Sequence, residues 1–474
     1  MKSSPLMKSL LGSLMAAGVL GQVFGSTPSP NVLVLIAEAQ GWDSNSVGLD
    51  GPRSNSIAHT PHLERLAREG VRFTGFLAAS PRCTPTRAAL LTGRSPAALR
   101  MTFVNEGRRD DVAAGTPVIP AVSSNELPLS EVTLAELFHD NGYATAHFGK
   151  WHLGRTDPSR HGFDESTGPT SNGGPENSAN PNPKQAFASA DRAVDFIRRS
   201  VASGKPFYLQ VAQYAGRSVI DARPETVAAI ERRLGNRGRF EIGAAAVAED
   251  ADASYGMIFS ALEKAGVWDN TIIVFTTDHG AQGINPPFRG GKGQIAEGGL
   301  RVPLLIRAPG IRSGDAIPER CSSVDVFPTV AALAGIDCAR LPGLEGSSLA
   351  PFLRQGAQTS FQRPHPEFVV HFPHYDKDPA GPASALWLGA YKLVRRYETD
   401  ARQLFRIDVD PAERTNLVSQ FPEVAKDLDR RLSGYLTSVN AALPRMNPNP
   451  DASRTAETLP GDRRGRRDGR NRNP

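Results

Sequence analysis

The chain of 474 residues carries 54 Lys and Arg against 49 Asp and Glu, with 39% hydrophobic and 22% charged residues. This is the composition of a soluble globular protein long enough for one large α/β unit and a smaller one. Of the net charge of +5, the last 24 residues hold +3, from seven Arg against four acids, which excludes the footprint of a nucleic-acid binder; three cysteines exclude a disulfide scaffold.

In chain order, Lys2 and Lys8, an apolar run from Ser9 to Val23, and the small Gly25 and Ser26 read as a secretory signal over residues 1–25. The run is too short and Gly-interrupted for a membrane span, and no cysteine near it supports a lipid anchor. The expected product is exported, periplasmic or extracellular, without a membrane anchor. Asn31 to Ala37 reads as a strand buried on both faces. Thr60 is expected to cap a helix that starts at Pro61 and ends at Gly70. Val71 to Ala79 returns as a strand, and residues 104 to 130 read as loop. A helix at Thr133 to Asn141 leads to a short strand, Thr145 to Phe148, and then a Pro, Asn, Gly and Ser-rich loop over 155 to 184. Ala186 to Arg199, Thr226 to Leu234 and Ala244 to Ala265 read as helices, and Pro206 to Tyr214, Thr271 to Phe275 and Val302 to Arg307 as strands. A helix over Val324 to Gly335 would hold its ends about 16–18 Å apart, so no disulfide is expected between Cys321 and Cys338 unless the helix ends early. This alternation predicts an α/β fold with a mostly parallel central sheet flanked by helices over residues 26–355. Short strands and a final helix predict a smaller C-terminal antiparallel sheet over 356–445. Residues 446–474 are too poor in apolar side chains to order themselves.

The chemistry centres on Cys83-Thr84-Pro85-Thr86-Arg87. Pro85 suits a first helical turn and Gly93 a stop, so Cys83 is expected just before a helix N-terminus, where N–H groups and the dipole favour an anion. Arg87 lies one turn on. Glu38, Cys83, Lys150 with His152, Arg217, and Asp278 with His279 all lie just beyond apparent strand ends, where ligands bind in parallel sheets. With Ala88-Ala89-Leu90-Leu91-Thr92-Gly93-Arg94 attached, the stretch resembles the signature of the sulfatase family. The segments HTPHLERLAREGVRF, GYATAHFGKWHLG, VFTTDHG, GGKGQIAEGGLRVPLLIRAPG and LFRIDVDPAERTNL extend that resemblance over most of residues 31 to 440.

The resemblance implies the fold of the alkaline phosphatase superfamily, and that Cys83 is oxidised to formylglycine by a formylglycine-generating enzyme. The hydrate would attack sulfur and then expel sulfate. Arg87 and Lys150 would hold the hydrate and the sulfate oxygens, His152 would take the proton that lets the covalent ester collapse, and Lys292 would bind sulfate from a loop whose glycines allow close approach. A calcium ion would be held by Glu38, Cys83, Asp278 and His279. Two departures stand out. Where the family has two adjacent aspartates, this chain has Glu38 and Ala39, and alanine cannot ligate. Arg217 stands where the family has a sulfate-contacting histidine, and an arginine cannot act as a general acid. Val370-His371-Phe372-Pro373-His374-Tyr375 resembles a substrate-side motif of sulfatases acting on sulfated sugars, which makes His371 and His374 candidates for the missing acid. The leading reading is an exported sulfatase acting on a sulfated glycan or aryl sulfate. A catalytically impaired relative that binds sulfated polymers is the alternative, and a phosphoester hydrolase is a weaker third.

Overall fold

The computed structural model describes residues 28–51, 56–104, 115–172, 183–214, 216, 219–235, 237–283, 285–357, 359, 363, 365–451, 453 and 454. The expected signal segment, Arg217 and residues 455–474 lie outside the described residues.

Apolar runs set the frame. Strand β1 (Asn31–Ala37) is buried along its whole length. Alternate residues leave opposite faces of a strand. Val32, Val34 and Ile36 join one core with Ala88, Leu90 and Leu91 of the helix Cys83–Thr92, Phe138 of Leu134–Asp140, and Phe327 and Val330 of Val326–Leu333. Leu33, Leu35 and Ala37 join the other with Leu63 and Leu66 of Pro61–Glu69, Phe196 and Ile197 of Ala186–Ala202, and Tyr255, Ile258 and Phe259 of Arg239–Lys264. The result is a sheet covered by helices on both sides.

Eight strands build that sheet: β1, β2 (Val71–Leu77), β4 (Ala144–Gly149), β5 (Glu165–Ser166), β6 (Phe207–Ala212), β7 (Thr271–Thr277), β8 (Leu304–Arg307) and β9 (Ala316–Ser322), in the order β5-β4-β6-β1-β7-β8-β2-β9. Only β8 runs against its neighbours. A pair outside it joins β3 (Val118–Ile119) to β14 (Arg445–Met446). The smaller sheet is antiparallel, β10 (Phe368–Phe372), β11 (Ala383–Leu388), β12 (Tyr391–Arg396) and β13 (Arg402–Arg406) in sequence order. One face, with Leu386, Leu393 and Leu404, packs on Leu428, Leu432 and Leu436 of the helix Pro422–Ser438. The other, with Phe372, Ala385, Trp387, Val394 and Phe405, packs on Leu77, Cys83, Phe103, Ile295 and Leu300. Among the described residues no helix is long and apolar enough to cross a membrane.

Several expectations need correction. Thr60 precedes the helix Pro61–Glu69, but its side chain makes no cap; its Oγ1 instead accepts the Ser46 N–H and meets Ser46 Oγ, while its own N–H donates to Ser46 Oγ. Asp252, from the helix Arg239–Lys264, caps it by accepting the N–H groups of His62 and Leu63 at 3.1 and 2.9 Å. Residues 446–451 do not belong with a structureless tail. Met446 lies in β14, Asn447 donates to Pro117 O, and Asp451 donates to Gly115 O. The edge strand β9 escaped the sequence reading because Pro318, Glu319 and Arg320 interrupt its apolar pattern, as edge positions allow. Cys321 and Cys338 are free thiols.

Candidate active site

Register brings the site together. β1 pairs with β7 so that Ala37 lies opposite Thr277, which sets Glu38 beside Asp278. Gly149 lies opposite Ala212 across β4 and β6, and the following Lys150 N–H donates to Ala212 O at 2.9 Å. At Gly149, φ is 101° and a Cβ would stand 1.9 Å from Ala212 O. Only glycine lets β4 end so close to β6.

Beyond β2, Cys83 is the first residue of its helix rather than the residue before it, and Arg82 is the N-cap. Pro85 is accommodated in the first turn, and Gly93 stops the helix at φ 67°. Within this helix Arg87 turns back to the strand ends. Its guanidinium donates to Asp278 Oδ2 at 3.0 Å, to Lys150 O at 2.9 Å and to Glu38 Oε2 at 3.4 Å. One planar cation thereby ties β1, β4 and β7 together.

Cys83 Sγ lies 3.1 Å from His279 Nε2, 3.3 Å from Glu38 Oε1 and 3.6 Å from Lys292 Nζ. Burial and Glu38 oppose its ionisation, but Lys150, Lys292 and His279 prevail and draw the thiol down to about 5. Glu38 is equally buried, which opposes its charge, yet Lys150 and Lys292 hold it well below the usual carboxylate range. Its Oε2 is 2.6 Å from Lys150 Nζ and its Oε1 is 3.0 Å from Lys292 Nζ. Asp278, with Arg87 as its direct cationic partner and with Cys83 and Glu38 nearby, is pushed up to about 6, chiefly by burial. Burial and Lys292 work against protonation of His279, and Asp278 and Cys83 overcome them and raise it to about 9.

Lys292 arrives on a loop between β7 and the short helix Glu297–Leu300. The glycines there serve backbone packing: a Cβ on Gly280 would lie 1.9 Å from Gly298 O, and one on Gly298 2.2 Å from Gly290 O. This differs from the expected reason, close approach of a ligand. His152 is buried at φ 61°; its N–H donates to Thr170 O and its carbonyl accepts from Thr84 Oγ1 at 2.9 Å, one residue from Cys83.

The C-terminal histidines part company. His374 lies on the Cys83 side of the small sheet, with Nε2 2.8 Å from Thr102 Oγ1 and its ring 4.8 Å from Phe103. Alternation along β10 turns His371 to the opposite face from Val370 and Phe372, where Nδ1 meets Ser384 Oγ at 2.6 Å and Nε2 meets Ala442 O at 3.0 Å. The structure does not bring His371 to the site.

Sequence reading missed the supports. Arg82, beside Cys83, is paired bidentately with Asp376 from the chain after β10. Lys392, fully buried, donates to Ile295 O at 2.9 Å and is 2.8 Å from Glu413 and 3.4 Å from Glu297, so it fixes the chain just after Lys292. A lysine at an inward position between Trp387 and Val394 was the available signal.

The ligand atoms of Glu38, Cys83, Asp278 and His279 lie within 4.8 Å of one another, a buried group able to hold a metal ion. It is a poor match for calcium, which takes six to eight oxygens. The set offers two carboxylates, one imidazole and the group at position 83, a sulfur until it is converted, and both carboxylates already answer cations. Ala39, in the left-handed region at φ 54°, gives only its N–H, to Asp278 Oδ1 at 3.2 Å.

A cationic, cysteine-centred cluster beyond the carboxyl ends of a mostly parallel sheet is suited to holding an anion. Comparison with known proteins makes the class specific. Residues 30–336 match the family Sulfatase, and residues 291–438 match the region described as N-sulphoglucosamine sulphohydrolase, C-terminal. Steryl-sulfatase of Mus musculus is 33% identical over 78% of this chain and 72% of its own. N-acetylgalactosamine-6-sulfatase of Canis lupus familiaris is 33% identical over 85% and 78%. The crystal structure of Ps i-CgsB in complex with k-i-k-neocarrahexaose aligns with TM-score 0.71 and 25% identity over 86% of this chain and 93% of that one. The chain belongs to the sulfatase family.

Proposed function

We propose that this chain is an exported sulfatase that hydrolyses sulfate esters of glycans through a formylglycine derived from Cys83. The observation that carries this reading is the convergence of Arg87, Lys150 and Lys292 on the pocket beside Cys83, at a helix N-terminus. That is a water-excluded cationic setting suited to charge developing on a sulfuryl group. The relatives named N-acetylgalactosamine-6-sulfatase and the complex of Ps i-CgsB with a carrahexaose support a sulfated sugar as substrate.

The pocket fits the modified residue. His279 Nε2, Glu38 and Lys292 all lie within reach of the Cys83 side chain and would serve the hydroxyls of an aldehyde hydrate. In that form position 83 supplies the oxygen that attacks sulfur and the second hydroxyl that expels sulfate. Arg87 holds the strand ends in place, Lys150 and Lys292 neutralise the sulfate oxygens, and His152 takes the proton in the second stage. Arg217 binds an oxyanion but cannot protonate a leaving group, which leaves that task to His374 on the wall of Phe103 and Thr102. Calcium, the family's usual cation, would have to draw on Glu38 and Asp278 with nothing from Ala39; these residues do not fit it, and no step is assigned to it.

The test is sulfate release by protein co-produced with a formylglycine-generating enzyme, with the aldehyde first confirmed by mass. Aryl sulfate and a panel of sulfated glycans are the substrates. Release that requires the aldehyde supports the reading. No release with the aldehyde present contradicts it and favours the alternative, a relative that only binds sulfated polymers, for which Ala39 is the specific observation. Ala39→Asp with Arg217→His would then restore turnover if the loss is recent.

A further inference from the structure

The cations of the pocket are already bound to an anion of the chain itself. Glu38 spans them: Oε2 lies 2.6 Å from Lys150 Nζ, Oε1 3.0 Å from Lys292 Nζ, and Arg87 Nη2 3.4 Å away. All four side chains are buried, so water does not screen these pairs. The oxygens of Asp278 are committed too, to the N–H of Ala39 and to Arg87. Each of these carboxylate oxygens thus already answers a cation or an N–H. Ala39 offers no replacement. The fixed charges give the same answer. Two carboxylates stand against Arg87, Lys150 and Lys292, with the His279 imidazole beside them, so the pocket stays net positive once the thiol at 83 is converted. That suits an entering sulfate monoester, whereas a divalent ion would add two further positive charges.

We infer that Glu38 is the resident counter-anion of the Lys150–Lys292 pair, and that the pocket admits a sulfate oxyanion by exchanging it for this carboxylate, without a divalent cation. The inference deepens the proposed function and rests on it in taking sulfate as the entering anion. Glutamate is the fitting residue: its extra methylene relative to aspartate carries the carboxylate off the end of β1 to a point between the lysines. The exchange breaks two ammonium–carboxylate contacts and forms two ammonium–sulfate contacts, with no covalent change.

The experiment is calorimetric titration of the full chain, unconverted at Cys83, with sodium sulfate and separately with calcium chloride. Glu38→Gln keeps the shape and removes the charge, and it is expected to bind sulfate at least tenfold more tightly than wild type. Wild type is expected to show no stoichiometric heat with calcium. Equal or weaker sulfate binding by Glu38→Gln, or one-to-one calcium binding by wild type, overturns the inference. Should Glu38→Gln fail to fold, the wild-type thermal midpoint decides: no rise with calcium supports the inference and a rise refutes it. Ala39→Asp, which restores a carboxylate, is expected to gain that rise, and its failure to do so counts against the inference. Sulfate binding is read without turnover, so an inactive converted enzyme would sink the proposed function while leaving this result standing.

Discussion

Arg87 ties three strand ends of the site together. Its guanidinium serves Glu38, Asp278 and the Lys150 carbonyl at once, and a lysine there would keep the charge but reach one partner. Arg87→Lys is expected to lower sulfate release roughly 10²-fold, the scale of loss when reacting groups are misplaced by about 1 Å. Unchanged turnover would mean that the fork has no part in the chemistry. At this scale the sequence was most informative. Cys83, Arg87, Lys150 and Lys292 stand in motifs whose neighbours are as telling as the residues themselves. The ion pairs were not legible, because they join positions such as Glu38 and Lys292 that only sheet register brings together. His371 was misplaced for a simpler reason: a strand shows one residue to each face, and a motif string does not say which.

Between elements, buried charge decides. Lys392 sits between Glu297 and Glu413, and removing it would take a buried cation from both, leaving Glu297 to Arg301 at 2.8 Å and Glu413 to Arg289 at 3.4 Å. Lys392→Met is expected to cost about 3–5 kcal/mol, the usual loss when one member of a buried ionic cluster is deleted, measurable by urea unfolding. A loss below about 1 kcal/mol would show that the cluster adds little. β10 adds a pH dependence. Burial holds His371 neutral, with its pKa lowered to about 4 against about 6.5 in an unfolded chain. The unfolded chain therefore binds this proton first as pH falls. The stabilisation is complete above pH 6.5 and is lost as pH drops toward 4, by about 3 kcal/mol. His371→Gln should make the fall in thermal midpoint between pH 7 and pH 5 shallower, and an identical slope in both proteins would refute the assignment. The long apolar strands of the large sheet were legible from their uninterrupted runs. The two-residue strands β3, β5 and β14 were not, since so short a segment has no periodicity to read.

Across the whole molecule, the small sheet is not an appendage. Its inner face shares one apolar cluster with Cys83, Phe103 and Ile295, and the Trp387 indole donates to Glu297 at 2.7 Å. The two sheets are therefore expected to unfold together, in one urea transition seen alike by tryptophan fluorescence and far-ultraviolet circular dichroism. Two separated transitions would show that the cluster does not couple them. The fold class followed from alternating strand and helix patterns, but the coupling did not, because the contacts join segments far apart in the chain, Cys83 and Phe103 with Phe372 and Phe405 among them. The central claim is that position 83 is the seat of the chemistry, and the most direct measurement is the mass of the peptide Cys83–Arg87. The protein would be His152→Ala, converted at 83, incubated with an aryl sulfate and quenched in acid. Because His152 is assigned the proton whose removal lets the ester collapse, the expected result is a sulfate ester retained on that peptide. Sulfate release without an adduct there, or an adduct on another peptide, would contradict the account.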